Sequence, residues 1–352
     1  MKQIILENDN DVEKWLCEQN IKKIFLVSGS QRQYLYEILS HFENCIEVIP
    51  FSDYAPNPDY VSVINGASIF KKEGCDGMVA IGGGSALDVA KCIRLYADKP
   101  VPFLAIPTTA GTGSEATRYA VIYRNGSKLS VTDESMIPDA VMWDSRLLKT
   151  LPSYQRKATM MDALCHAIES FWSINSTKES RALSTQAIHE ILSNMEGYLQ
   201  GRDEGDSGML HAAYIAGKAI NITETTAGHA MCYKITSLYD TAHGHAAALC
   251  NRVLFPWMLT HIDRCTDPRG KEFLTSVLAE IGHAMGCSSA EEGARKFGKI
   301  FSEFALEVPR ASEEEFIELR DSVNQQRLRN FPLELDNDTI DGLYHRILEE
   351  RK

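Results

Sequence analysis

MVAIGGGSALDVAK, residues 78–91, runs four apolar residues straight into Gly82, Gly83 and Gly84, then Ser85 and a helical pattern opening near Ala86. The apolar run suits a strand buried on both faces, and the glycines suit a tight passage from strand to helix. Upstream, IKKIFLVSG (21–29), a helical stretch over 31–41, CIEVIPF (45–51) and a helical stretch over 59–72 precede it. The order is β-α-β-α-β. Strands separated by helices pair in parallel with crossovers on both faces, so the first half reads as an open α/β domain. From about Leu151 the pattern changes: 155–172, 179–198 and 207–220 carry apolar residues three and four apart. That half reads as helical. Pro138 and Pro152 bracket the boundary, giving expected domains 1–150 and 151–352 with a ligand cleft between them.

Composition narrows the class. The 352 residues are 44% hydrophobic and 24% charged, as in an ordinary globular protein, and the net charge of −12 repels phosphate backbones and anionic lipid surfaces. Nucleic acid is excluded as an expected partner. MKQIILENDNDVEKW places acidic residues where a signal peptide needs an apolar core, and no apolar run approaches the roughly 18 residues that span a bilayer. Nine cysteines without a CxxC pair fit a reducing cytoplasm, most of them packing as small hydrophobes in segments such as AAALCNRV.

The glycine turn is a candidate phosphate site. Glycines admit an anion close to the backbone, and the amides and dipole at a helix start attract it. Ser85 can cap that helix, with Asp88 at its third position. LAIPTTAGTGSEAT (104–117) follows a second apolar strand and gathers Thr108, Thr109, Gly111, Thr112, Gly113 and Ser114, hydroxyls and amides suited to a ribose or diphosphate. Neither stretch is a Walker A loop, nor does either show the GxGxxG spacing after a first strand. The expectation is a dinucleotide site of another pattern.

MDALCHAIESFW (161–172) sets Asp162 and His166 four apart, on one face of a helix. The later segment 225–250 supplies His229, His243 and His245. On one unbroken helix His229 and His243 would stand about 21 Å apart, so the chain must turn back between them, near 237–241. One carboxylate with imidazoles and no thiolate suits Fe(II), Zn(II) or a similar ion. The plain alternatives are a surface Asp–His hydrogen bond and histidines in a helix-start loop.

Taken together these motifs resemble the iron-containing (group III) alcohol dehydrogenase family, which joins a GGGSxxDxAK turn to PTTxGTxSE, DAxxHxxE and two later histidines fourteen apart. GGGSALDVAK, PTTAGTGSEAT, DALCHAIE and the His229/His243 pair occur here in that order. The resemblance implies an α/β Rossmann-like N-terminal domain with an all-α C-terminal domain, as in the dehydroquinate synthase-like fold. It implies a homodimer and a divalent ion, Fe(II) or Zn(II), held by Asp162, His166, His229 and His243. For the nicotinamide cofactor it implies contacts from Gly29, Asn57, Gly83, Gly84, Ser85, Asp88, Thr108, Thr109, Thr112, Lys128 and Leu147. FSDYAPNPD, INITETTAGHA and HGHAAAL are most similar to the phosphonoacetaldehyde reductase branch, implying reduction of that aldehyde to 2-hydroxyethylphosphonate. Two positions depart from the pattern: Tyr233 stands where many members carry a histidine, and Glu224 where the branch often has lysine.

Members preferring NADH often hold an aspartate after the first strand, whereas FLVSGSQRQ (25–33) offers Gly29 there. A 2′-phosphate is then not repelled, and Ser28, Ser30 and Arg32 can bind it, which sets NADP(H) ahead of NAD(H). The expected chemistry is Lewis-acid polarisation of a small aldehyde with hydride delivered by the nicotinamide. His245 is the candidate proton relay, and Arg118, Lys128 and Lys234 are candidate partners for a phosphonate. Other readings are a different small aldehyde or alcohol, a sugar-phosphate cyclase-like lyase, and a non-catalytic nucleotide or metal sensor.

Overall fold

The computed structural model describes residues 3–40, 46–97, 99–124 and 127–350, the side chains at 127 and 128 excepted. Two compact units divide the chain, Met1–Leu151 and Pro152–Lys352. The first contains β1 (Ile4–Leu6), α1 (Asp9–Glu18), β2 (Lys23–Ser28), α2 (Arg32–Leu39), β3 (Glu47–Phe51), α3 (Tyr60–Glu73), β4 (Gly77–Gly82), α4 (Gly84–Tyr96), β5 (Phe103–Pro107), β6 (Tyr119–Arg124), β7 (Ser127–Thr132) and β8 (Ala140–Met142). Six strands form one sheet in the order β1-β8-β5-β4-β2-β3, every pairing parallel. Phe25, Met78 and Phe103, from its three middle strands, are fully buried with helix residues such as Phe70 and Ile93. Burial on both faces is why these strands read as unbroken apolar runs rather than as alternating ones.

Four strands of this unit escape the sequence pattern, among them the three-residue β8. β1 is only IIL, with Ile4 and Ile5 partly exposed. β6 and β7 form a separate antiparallel hairpin. The expected helix over 31–41 is α2, and residue 41 lies outside the described residues. From β2 the chain moves outward to β3, and from β4 it moves the other way to β5. The carboxyl ends of neighbouring β2 and β4 therefore mark a topological switch point, where a parallel sheet opens a crevice for ligands.

The second unit is built on α5 (Ser153–Trp172), α6 (Lys178–Leu199), α7 (Asp203–Thr223), α8 (Ala227–Tyr239), α9 (His243–Thr260), α10 (Lys271–Ala284), α11 (Ala290–Glu303), α12 (Glu313–Asp321), α13 (Gln325–Leu328) and α14 (Asn337–Ile347), with β9 (Arg310–Ala311) and β10 (Glu349–Glu350) as a minor parallel pair. Helix α5 packs against α6, α7 and α9, and from Met160 to Trp172 every residue is buried. A helix enclosed on all sides carries polar groups only where they have partners, which makes Asp162, His166 and Glu169 conspicuous. No described helix is long and apolar enough to cross a membrane.

Candidate metal centre and cofactor site

The chain reverses between α8 and α9 as the histidine spacing requires: α8 ends at Tyr239, Asp240 takes a left-handed conformation (φ 51°), and His243 opens α9. At this corner Gly244 lies against α5, where a Cβ would stand 2.1 Å from the Ala158 carbonyl oxygen and 2.5 Å from Asp162 Cβ. Only glycine permits that approach. It brings the start of α9 to the turn of α5 that carries Asp162.

Ligand atoms of Asp162, His166 and His229 lie within 4.8 Å of one another, all three residues buried. Asp162 Oδ1 is 3.6 Å from His229 Nε2 and 3.9 Å from His166 Nε2. The 3.6 Å separation exceeds a hydrogen bond, and Asp162 Oδ1 and His229 Nε2 have no hydrogen-bond partner. Two such buried orphans cost about 1–3 kcal/mol each. A shared divalent ion would satisfy both, because two atoms each about 2.1 Å from one ion can stand up to about 4.2 Å apart. The residues present fit a divalent cation. His243 lies beside this trio with its ring 5.3 Å from that of His229, centroid to centroid, while His166 stacks on His229 at 4.6 Å.

Glu169 is the residue the sequence reading left without a role. One turn beyond His166 and two beyond Asp162, it sits fully buried on the same face of α5. Its Oε1 accepts a hydrogen bond from His229 Nδ1 at 2.6 Å, and its oxygens also accept from the Thr226 amide and hydroxyl and from Asn251 Nδ2 at 2.7–2.8 Å. With Nδ1 so engaged, His229 presents Nε2 to Asp162, the arrangement in which a carboxylate orients a metal-binding imidazole. Burial opposes ionisation of Glu169, but the His229 charge and the hydrogen bonds outweigh it, drawing its pKa down to about 2. Asp162 is likewise opposed by burial and held well below the usual carboxylate range by His166, His229 and His243. Burial lowers His229, and the Glu169 and Asp162 carboxylates more than reverse this, raising it to about 9 in the absence of an ion.

The other expected residues of this unit fall elsewhere. His245, two positions after His243, points to another side of α9: Tyr154 Oη accepts from the Ala242 amide and bonds His245 Nδ1 at 3.0 Å, and Phe301 lies 6.1 Å from the imidazole. A two-residue step on a helix turns a side chain by about 200°, so His245 does not join the cage. Lys234 is paired with Glu318. Glu224, at a positive φ of 59°, is neutralised by Arg327 at 2.6 Å.

In the first unit the cofactor candidates gather at the carboxyl edge of the sheet. Gly29 follows β2, the glycine turn ends β4, Thr108, Thr109 and Thr112 follow β5, and Leu147 comes after β8. α4 begins at Gly84 rather than near Ala86, with Gly83 as an N-cap that makes no side-chain hydrogen bond. Ser85 is therefore not the cap, and its hydroxyl donates to the Pro56 carbonyl, next to the exposed Asn57. A Cβ on Gly84 would stand 2.9 Å from Thr112 Cγ2, so the two loop motifs touch. An uncapped helix start facing hydroxyls is a ready anion site.

Asp88 differs from expectation. Its Oδ1 accepts from Ser114 Oγ at 2.6 Å and its Oδ2 from the Val121 amide at 2.9 Å, tying α4 to the threonine loop and to β6. Lys91, fully buried, completes that tie through Ser114 Oγ, Thr117 Oγ1 and the Tyr119 carbonyl at 2.8–3.1 Å. Burial pulls the Lys91 pKa down to about 8, partly offset by Asp88 and Glu115, and pushes that of buried Glu115 up to about 7. Arg118 pairs with Glu134 at 2.6 Å. Lys128 occupies β7 opposite Tyr123, and its side chain lies outside the described residues.

A parallel sheet with an anion-binding turn, joined in one chain to a helical unit holding a carboxylate–imidazole cage, defines a nucleotide- and metal-binding chain. The family model described as iron-containing alcohol dehydrogenase matches residues 4–145, and that described as Fe-containing alcohol dehydrogenase family, C-terminal, matches residues 157–344. The chain belongs to the iron-containing alcohol dehydrogenase family. It is similar to alcohol dehydrogenase 4 of Schizosaccharomyces pombe (33% identity over 76% of this chain and 65% of that one). It is also similar to the NAD-dependent methanol dehydrogenase of Bacillus methanolicus (36% identity over 60% of each). The matches thus span less than two thirds of these relatives' length. Among solved structures, the iron-containing alcohol dehydrogenase of Thermotoga maritima superposes with a TM-score of 0.82 at 26% identity over 99% of this chain and 98% of that one. The sulfoacetaldehyde reductase of Bifidobacterium kashiwanohense, in complex with NAD+, gives 0.86 at 24% identity over 99% and 97%, a likeness of fold.

Proposed function

We propose that this chain is a metal-dependent, NAD(P)-dependent alcohol dehydrogenase working as an aldehyde reductase, with Asp162, His166, His229 and His243 holding Fe(II) or Zn(II). The observation that carries this reading is the pair of buried, unsatisfied atoms, Asp162 Oδ1 and His229 Nε2, facing each other within the cage. When bound, the ion supplies Lewis-acid polarisation of a carbonyl and the nicotinamide supplies hydride. Glu169 keeps the Nε2 lone pair of His229 directed into the cage. Gly83, Gly84, Thr108, Thr109 and Thr112 bind the diphosphate, with Gly29, Asn57, Ser85 and Leu147 beside them, while Asp88 and Lys91 hold the threonine loop against the turn. The exposed Gly29 and Arg32 favour NADPH over NADH.

For the substrate we propose a small aldehyde carrying an acid group, phosphonoacetaldehyde in particular. The Arg327 partner of Glu224 supports this, because the carboxylate then presents no uncompensated charge to an anion. We further propose a cytoplasmic homodimer; all eight described cysteines are free thiols. The test is an aldehyde panel including phosphonoacetaldehyde, assayed with NADPH and NADH after loading with Fe(II) or Zn(II). Asp162→Ala is expected to lose metal and turnover while retaining nucleotide binding. Full activity in metal-free protein overturns the reading.

A further inference from the structure

His229 and His243 are steadied by different outer partners. On His229 it is the Glu169 carboxylate at Nδ1. On His243 it is a thiol: Cys232, one turn beyond His229 on α8 and fully buried, places Sγ 3.7 Å from His243 Nδ1. The same sulfur lies 3.5 Å from the His229 carbonyl oxygen, to which it donates its S–H. With the thiol hydrogen directed at that carbonyl, the sulfur turns a lone pair toward Nδ1, so the imidazole is the donor between them. His243 then carries its proton on Nδ1 and keeps the Nε2 lone pair for a cation. The opposite assignment, S–H to Nδ1, would put the proton on Nε2 and set an N–H against the ion. Tyr233, the next residue, lies flat on the same ring, 5.6 Å between centroids and 7° between planes. One neighbour sets the tautomer and the other sets the rotation of the ring.

We infer that Cys232 is the positioning residue of His243, doing for that imidazole through a thiol, with Tyr233 as a stacking wall, what Glu169 does for His229 through a carboxylate. The inference rests on the metal reading above. It assigns a part to two adjacent side chains, one of them the departure from the family pattern at 233. It also predicts an asymmetric cage. A thiol is a weaker acceptor than a carboxylate, and His243 is less buried than the other three ligands. His243 is therefore the arm that adjusts when the ion arrives.

The full-length protein loaded with Co(II) tests this by affinity and absorption spectrum, read beside its thermal melt. Wild type is expected to bind Co(II) with visible bands of a four-coordinate site and no sulfur-to-metal charge-transfer band in the near ultraviolet. Cys232→Ala should weaken Co(II) binding about 10–100-fold, measured by competition with a chelator, and change the visible bands as one nitrogen is lost. Cys232→Ser, which keeps a hydroxyl acceptor, should recover most of that loss. Should the alanine variant fail to fold, the serine variant decides: near-wild-type affinity supports the inference and a loss as large as 10-fold overturns it. Wild-type affinity in a folded Cys232→Ala overturns it while leaving the metal reading intact. A charge-transfer band in wild type that vanishes in Cys232→Ser also overturns it, because the sulfur would then be a ligand. Absence of any Co(II) binding by wild type overturns the metal reading itself.

Discussion

Glu169 shows how much a single buried carboxylate can decide. It is not in the ligand trio, yet it bonds His229 Nδ1, Thr226 and Asn251 at once. Glu169→Gln removes the charge at nearly constant volume, and we expect metal affinity to fall about 10–100-fold in a chelator competition titration with the fold kept. Glu115 provides a test by pH. Burial raises its folded-state pKa to about 7, above the unfolded value, so its favourable contribution is complete below about pH 4.5 and is lost as pH rises through 7. Glu115→Gln should therefore gain on wild type by up to about 3 kcal/mol between pH 4.5 and pH 8 in denaturant titrations. A pH-independent difference would show that folding does not raise this pKa. At this scale Asp162 and His166 were legible because a four-residue step puts two groups on one helix face. Glu169 shares that face and closes the DALCHAIE segment, but helix spacing alone does not say that its carboxylate turns to His229 rather than to a neighbouring helix. For Asp88 the spacing along a helix does not say whether a carboxylate faces a ligand or a neighbouring loop, and its oxygens accept from Ser114 and Val121.

Among the elements, the α8–α9 corner carries the heaviest constraint. Its left-handed Asp240 and the contact of Gly244 with α5 bring His243 to Asp162. Gly244→Ala sets a methyl 2.1 Å from the Ala158 carbonyl oxygen, so α9 must shift. We expect a loss of about 1–3 kcal/mol in stability, with weaker metal binding in the same sample; an unchanged melt and titration would show that the corner yields freely. The need for a turn was readable from the fourteen-residue histidine spacing, and the buried strands β2, β4 and β5 were readable as continuous apolar runs. The three-residue β1 and β8 and the β6–β7 hairpin were not, since so short a run carries no period and the hairpin lies outside the parallel sheet. The start of α4 moved because glycine at 83 can serve as the cap, which the sequence pattern assigned to Ser85.

For the whole molecule, the two edges of the six-stranded sheet are unequal. At one, β3 includes Pro50, which has no N–H to give, and Glu47 is engaged with Lys23 at 2.9 Å. At the other, β1 exposes Ile4 and Ile5 at 47% and 38%. If the proposed dimer forms along β1, Ile5→Lys should shift the mass measured by light scattering from two copies to one. An unchanged mass would place the interface elsewhere. The asymmetry also restrains growth. In such a dimer a strand of three residues would have room for one short antiparallel pairing, a twofold axis through it would use up the open margin on both copies, and the proline-guarded side would give a third molecule no foothold, so association there would stop at two instead of running on into a fibre.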